Sequence, residues 1–297
     1  MQQENMRSLP DLRAGRESPY WRKALRPLAR NRLVLAGTLL AVLMVMIAVF
    51  ADILAPFDPL AMNSTHTLEA PSIRYLFGTD RYGRDILSRA IYGSRISLWV
   101  GIASISISMT LGTTLGLISG FFGGWTDNTI SRIMDVAFSF PGLLLAIAIA
   151  AVLGPSLNNA VQAIAVVYTP PFSRIVRGSV LAERDKEYVD AARLIGARAW
   201  RIMGRHVLPN VVSPIIVQGS VGLSLAILTE SYLSYLGLGT QPPHPSWGTM
   251  LSEGRTFLET APWISIFPGL AIVLTVLAFN LLGDGLRDVL DPKMRSA

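Results

Sequence analysis

The sequence predicts an all-α membrane protein with six transmembrane helices, and three observations carry that reading. Of 297 residues, 51% are hydrophobic and 15% charged, and the mean hydropathy is +0.44. That leaves too little charge to cover a soluble globule of this size. The apolar residues gather into runs close to the roughly 20 residues that cross a hydrocarbon core about 30 Å thick. The basic residues fall mainly in alternate segments between those runs, the asymmetry that orients a membrane protein.

Taken in order, residues 1–32 form a basic tail containing Arg7, Arg13, Arg16, Arg22, Lys23, Arg26, Arg30 and Arg32. Within it, Pro19–Arg32 places Trp21, Leu25 and Leu28 on one helical face ringed by arginines. That suits a helix on the membrane surface, or equally a disordered tail that only fixes topology. Residues 33–95 hold a first span, Leu33–Ala51, and an external segment. No small-residue cleavage site follows the span, so it reads as a retained anchor. A second span, Ile96–Ile118, leads into Gly112, Gly116 and Gly120, whose spacing lets helix backbones approach closely. The third, Ile133–Leu153, contains Asp135 near its cytoplasmic side and Pro141 as a kink or helix start. Asn159–Ser173 is short and ends in Pro170 and Pro171. Val211–Leu236, with Glu230 toward its outer end, and Pro262–Leu282 follow, and residues 285–297 form a tail.

Charge decides the status of the short segment. If it crosses, both termini are cytoplasmic and 20 of the 26 Lys and Arg residues lie inside, leaving Arg74, Arg81, Arg84, Arg89, Arg95 and Arg255 outside. If it does not, the basic stretch from Arg174 to Arg205 falls outside and the bias largely vanishes. Six spans are therefore expected, in a plasma membrane and its lipid. The net charge of +6 follows from this bias, with no interleaving of arginines and aromatics to indicate a nucleic-acid partner. Zero cysteines exclude disulfides and thiolate metal sites.

The loop over residues 183–210 departs from the apolar background with EYVDAARLIGARAWRIMGRHVLPN. Tyr188, Ala191, Ala192 and Ile195 fall at i, i+3, i+4 and i+7, one stripe of a short helix. Gly196 follows, where a left-handed cap costs glycine nothing. Ala199, Ile202, Met203 and His206 repeat the spacing on a second short helix, expected to be bounded by Pro209 and Pro214. A folded loop of this kind is a docking element for a protein partner; the alternative is a helix pair lying on lipid.

The pattern Asp190-Ala191-Ala192, Gly196, His206, Leu208-Pro209 resembles the EAA loop of permease subunits of ABC importers. Two positions depart from the general consensus: Asp190 stands where Glu is usual, keeping the charge. His206 stands where Ile is usual and is similar to the peptide-importing branch. Two further stretches, LFGTDRYGRDILSR with YGSRISL (residues 76–98) and LGLGTQPPHPSWGTML (residues 236–251), resemble the dipeptide, oligopeptide and nickel permeases. The resemblance runs from about Trp21 to Pro292. It implies the second permease of a peptide-type, binding-protein-dependent importer with a type I ABC importer transmembrane domain. Residues 96–284 would be its five-span core, preceded by an extra N-terminal span.

The same resemblance implies partners: a second permease subunit, two ATP-binding subunits seated on the loop, and an external substrate-binding protein. It assigns the loop residues Tyr188, Asp190, Ala191, Ala192, Ile195, Gly196, Ile202, Met203, His206, Leu208 and Pro209 to ATPase coupling. Trp247 and His244, on a stiff external loop, become candidates for receiving the binding protein, or Trp247 packs among headgroups. ATP and Mg would belong to the partner subunits and no cofactor to this chain. Only Lys23, Lys186 and Lys293 are present and none follows a glycine, so the chain has no P-loop.

Asp135, Glu230 and Pro141 are expected to serve a gate or packing. In the rival reading, an ion-coupled secondary transporter, the two carboxyls would relay ions; such a fold should show internal inverted repeats, and no repeat is visible between the halves. No His-Glu-x-x-His or positioned nucleophile supports a hydrolase. His66, His206 and His244 are too scattered for a metal site. Glutathione, nickel chelates and other small solutes share permeases of this look with peptides.

Overall fold

The computed structural model describes residues 32–290, so the surface helix expected over Pro19–Arg32 lies, but for its last residue, outside them. All regular elements among the described residues are helices, with one isolated bridge between Thr79 and Asp85. They are α1 (Arg32–Val49), α2 (Ala51–Leu54), α3 (Ile86–Phe122), α4 (Gly124–Phe138), α5 (Gly142–Leu153), α6 (Leu157–Glu183), α7 (Glu187–Leu194), α8 (Ala199–Ile202), α9 (Leu208–Tyr235), α10 (Trp247–Gly254) and α11 (Trp263–Leu290). A π-turn at Met203–Val207 joins α8 to α9 in one continuous helix. That helix, α3 and α11 are each long and apolar enough to cross a membrane, while α4 and α5 qualify only together and meet at 89°.

Four expectations about these elements need correction. First, α3 begins at Ile86 rather than Ile96. Asp85 accepts the Ser88 amide at 2.8 Å as its N-cap, and the polar first turns are buried under the preceding segment. Second, the third apolar run is broken. Pro141, at the N-cap of α5, disfavours helical geometry at Phe140 and starts a new helix in another direction. Third, Pro170 and Pro171 do not end their helix, which runs on to Glu183. Each proline removes one backbone hydrogen bond, but tight packing on α3 holds the helix, and the Thr169 and Ser108 hydroxyls both donate to the Ala165 carbonyl. Fourth, Pro209 does not bound the second loop helix. The helix runs on through it from the π-turn at Met203–Val207, which already interrupts the regular hydrogen-bond ladder just before Pro209, and Pro214, the other expected boundary, lies inside α9.

The α3–α6 contact is the most extensive in the bundle. A Cβ added at Gly112 would stand 2.7 Å from the Thr169 carbonyl oxygen, at Gly116 2.6 Å from that of Ser173, and at Gly120 2.8 Å from Val180 Cβ. α1 packs on α11 in the same manner, with a Cβ at Gly37 only 2.6 Å from Leu281 Cβ. The start of α1 and the end of α11 meet where Gly285 faces Val34. Arg95 of α3 fastens the other end of α1 by donating to the Ala48 carbonyl at 2.7 Å, the Val49 carbonyl at 3.0 Å and the Asp52 carboxylate at 2.9 Å. It thereby satisfies carbonyls that a helix end leaves open.

Residues 55–85 fold back over the end of the bundle that carries α10. Phe77 stacks on Phe267 at 3.9 Å, and the Trp263 indole donates to the Thr79 carbonyl at 3.2 Å. Beneath lies a buried ion network. Arg84 reaches Asp80 at 2.6 Å and Glu253 at 2.8 Å, and Arg89 reaches Glu253 at 2.8 Å. Two cations facing two carboxylates leave no net buried charge, the condition under which such groups are tolerated inside.

Gly116→Val should overpack the α3–α6 contact and cost about 1–3 kcal/mol, seen as a lower unfolding temperature in detergent. Gly219→Ala is the control, since its nearest neighbour to an added Cβ is Met109 Sδ at 3.7 Å. A helical Gly→Ala change at an open position should be neutral or stabilising by up to roughly 1 kcal/mol.

Candidate functional site

At the opposite end of the bundle from α10, α7 and α8 fold into a compact loop between α6 and α9. Glu183, the last residue of α6, makes the turn by accepting Lys186 Nζ at 2.5 Å and the Tyr188 hydroxyl at 2.7 Å. Partial burial and the Glu183 carboxylate push the Tyr188 hydroxyl up to about 12, so it remains a donor at any physiological pH. Asn210 reaches the same hydroxyl at 3.3 Å and the His206 carbonyl at 2.7 Å, tying α7 to the start of α9.

Gly196 ends α7 in a Schellman arrangement. It has φ +78°, its amide donates to the Arg193 carbonyl at 3.0 Å, and the Ala197 amide donates to that of Ala192 at 3.1 Å. Those are the two bonds that close a helix through a left-handed residue. An added Cβ would meet nothing within 4 Å, so the constraint on this glycine is conformational rather than steric. Here the sequence and the structure agree.

The two faces of the loop differ. Val189, Ala192, Ile202, Met203 and Val207 are buried, and apart from Met203 they form one cluster with Val176 and Val180 of α6 and Val211 and Ile215 of α9. On the other face Leu194 is 88% exposed, Ile195 85% and Trp200 66%. The stripe expected from spacing is thus divided. Ala192, Ile202 and Met203 point into the floor. Tyr188, Ala191 and Ile195 lie at the surface with Asp190, whose carboxylate pairs with Arg193 at 2.9 Å. His206 and Leu208 are half-buried, and Pro209 is exposed. Sequence spacing missed Val189 as the floor contact, and it missed Leu194 and Trp200 as surface groups. Trp200 rests edge-on against Phe122 at the end of α3, with centroids 6.2 Å apart.

The remaining predicted residues are scattered. Trp247 is 1% exposed, and its indole donates to the Ala90 carbonyl at 3.0 Å. It is a core residue and presents no surface, contrary to the docking role expected of it; the Ser246–Thr249 capping box draws it inward. His244 does lie at the surface. Glu230 is fully buried and accepts from Ser234 Oγ at 2.7 Å, whereas Asp135 is exposed and paired with Arg174 at 3.1 Å. These two carboxyls sit in separate surroundings and form no relay together. His66 pairs with Glu69 at 2.6 Å, and no group of three or more His, Cys, Asp or Glu among the described residues is arranged to hold a metal.

A helical membrane bundle that anchors a two-helix loop on one face and leaves its other apolar face bare has the build of a transport component that works with another protein. The description "binding-protein-dependent transport system inner membrane component" matches residues 112–296, and "N-terminal TM domain of oligopeptide transport permease C" matches residues 19–71. The chain belongs to this family of inner-membrane transport permeases.

It is 48% identical over 276 residues to the dipeptide transport system permease protein DppC of Alkalihalophilus pseudofirmus, covering 93% of this chain and 91% of that one. It is 47% identical over 290 residues to the glutathione transport system permease protein GsiD of Pectobacterium atrosepticum, covering 97% and 96%. A chain of the MetNI methionine ABC transporter, solved in inward-facing conformations, shares the fold with a TM-score of 0.55 and 19% identity, covering 69% of this chain and 97% of that one. The protein is accordingly a multi-pass permease of an ABC importer and not an enzyme; its family works with an ATPase and a substrate-binding protein.

The division of the loop into two faces has a measurable consequence. Ile202→Ala, in the floor, should destabilise the subunit by about 2–5 kcal/mol. Ile195→Ala, on the bare face, should stay within about 0.5 kcal/mol of the parent. Thermal unfolding of the purified subunit in detergent separates the two.

Proposed function

We infer that the chain is the second permease of an importer for dipeptides and related short peptides, crossing the membrane six times with both termini cytoplasmic. The six spans would be α1, α3, the bent α4–α5 pair, α6, α9 and α11. At about 1.5 Å per residue α1 reaches roughly 27 Å, just short of a core of about 30 Å, and the α2 turn that follows it directly makes up the difference, while α6 at about 40 Å exceeds the core. The basic loop and the basic tails then share the cytoplasmic side, as the positive-inside rule requires. A second permease would complete the path, and two cytoplasmic ATPases would hold ATP and Mg, with no cofactor in this chain. A binding protein would deliver substrate from outside. The substrate class rests on the relatives named for dipeptides, with glutathione, itself a small peptide, as the neighbouring case.

The observation that carries the coupling assignment is the bare face of Leu194, Ile195 and Trp200 on a loop whose opposite face is locked to α6 and α9. Apolar side chains held out on a rigid support are suited to fill a socket on a partner. Because α8 continues without a break into α9, a push on the loop moves a membrane-spanning helix as one body. The floor contacts carry the same push to α6. ATP-driven closure of the two ATPases would thereby rock the spans from inward-facing to outward-facing, and hydrolysis would reset them.

Gly196→Val tests this arrangement. A β-branched residue held at positive φ costs roughly 1–2 kcal/mol or more, which should misalign α7 without disturbing the spans. The expected outcome is normal membrane abundance and retained second permease, with ATPase recovery in co-purification and uptake both strongly reduced. Normal uptake in this variant would count heavily against the coupling role.

A further inference from the structure

Glu230 is the only acidic or basic residue of α9, and it is fully buried five residues before the helix ends. Such a group is costly inside a membrane bundle and marks function by default. Its carboxyl accepts the Ser234 hydroxyl at 2.7 Å, and the Ser234 oxygen in turn accepts the Thr240 amide at 3.0 Å. A serine hydroxyl carries one proton and two lone pairs. Donating the proton to Glu230 turns the lone pairs toward Thr240, so the carboxyl sets the direction of the second bond. The hydroxyls of Ser97 on α3 and of Ser246, the N-cap of α10, gather around the same carboxyl. One side chain of α9 thereby meets α3, the start of α10 and the loop between α9 and α10.

That loop, residues 236–246, has a fixed root and an exposed rim. At the root the Leu238 and Gly239 amides donate to the Leu233 carbonyl at 2.8 and 3.2 Å. Gln241 Nε2 donates to the Gly237 and Gly239 carbonyls at 3.0 Å. Gly248 lies so close to α9 that an added Cβ would overlap the Ser231 carbonyl oxygen, and Trp247 is plugged into the core through its bond to Ala90. Gln241, Pro242, Pro243 and His244 are left exposed, and prolines at 242, 243 and 245 fix φ along the rim. A force on a rim this stiff passes into its root instead of bending the loop, and at the root stands Glu230. From there α9 continues without a break into α8, which carries Trp200 on the bare face of the cytoplasmic loop.

We propose that Glu230 is a positioning residue through which docking of the external binding protein on the rim at residues 241–244 is felt by α9 and, along that helix, by the loop that faces the ATPase. The proposal rests on the importer reading above and deepens it, because it names the segment that receives the binding protein and the side chain that passes the contact on. The bond from Ser234 to Glu230 is the step that makes the rim and α9 one body. An amide oxygen at position 230 can accept the same bond, whereas an aliphatic side chain cannot.

The test uses the complete importer in proteoliposomes and its binding protein loaded with a dipeptide. ATP hydrolysis is measured without and with saturating binding protein for the parent, Glu230→Gln, Glu230→Leu and Ser234→Ala. Glu230→Gln should keep the parent's stimulation. Glu230→Leu and Ser234→Ala should keep complex yield and basal hydrolysis while stimulation falls about fivefold, the equivalent of one lost hydrogen bond. Parent-like stimulation in both of these variants would overturn the proposal. So would a loss of complex yield or basal hydrolysis in both, which would make the contact a structural tie alone. A second arm places a single thiol on the rim with His244→Cys: the docked binding protein should protect it from a water-soluble maleimide, and free labelling in the docked complex would remove the rim as the receiving segment. Parent vesicles whose hydrolysis does not respond to the loaded binding protein would instead remove the importer reading, and the proposal with it.

Discussion

At Gly112, Gly116 and Gly120 the backbone of α3 lies directly against α6, and the remaining architecture follows from that approach. Without side chains on this stripe the helices come close enough for Phe172, Val176 and Val180 to be fully buried. Dispersion contacts of this kind replace the hydrophobic driving force that is missing between helices in lipid. The same contact carries α6 through Pro170 and Pro171, which in an unsupported helix would break it. It also fixes the positions of Val176 and Val180, and these two valines are the floor on which the loop helices rest. Arg184 adds a further tie by donating to the Gly120 carbonyl at 2.9 Å.

From this spine the two ends of the bundle take different tasks. The end bearing α10 is sealed by buried charge, by stacked Phe77 and Phe267, and by Trp247 in the core. A buried pair that loses one partner is strongly destabilising, whereas the intact set contributes little net stability. The Asp80, Arg84, Arg89 and Glu253 network is therefore better understood as fixing how residues 55–85 sit over the helices than as a source of stability. The end bearing the loop is built the other way, with apolar groups turned outward on a rigid support. α4 has no fully buried residue and is braced against α6 by the Asp127–Arg177 pair.

Much of this was legible in the sequence. Apolar runs located most of the helices, because burial in lipid leaves an unmistakable composition. The glycine spacing and Gly196 were readable because each answers a local demand, close approach in one case and a left-handed residue in the other. Local signals failed where a distant partner decides the outcome. Pro170 and Pro171 read as a stop, since nothing in their neighbourhood announces α3. Trp247 read as exposed among prolines, although Ser246 and Thr249 at capping-box spacing were a sign that a helix begins there. The loop stripe was assigned one face from its period, but the floor takes Val189 and leaves Ile195 outside, a choice made by where α6 and α9 happen to lie. Arg174 was counted as loop charge, because the span was expected to end at Ser173, immediately before it, whereas the helix runs on to Glu183.

The central claim is that the bare face of the loop is covered by the ATPase subunit. The natural chain contains no cysteine, so a single Ile195→Cys change gives one defined thiol. The most direct measurement is cross-linking from that thiol in membranes containing the whole importer, with cysteine-substituted Val189 as the buried control. The account predicts a product between Ile195→Cys and the ATPase subunit, protection of that thiol from a bulky water-soluble maleimide in the assembled complex, and no product from Val189→Cys. A thiol at position 195 that labels freely in the assembled, transporting complex and links to no ATPase would contradict it.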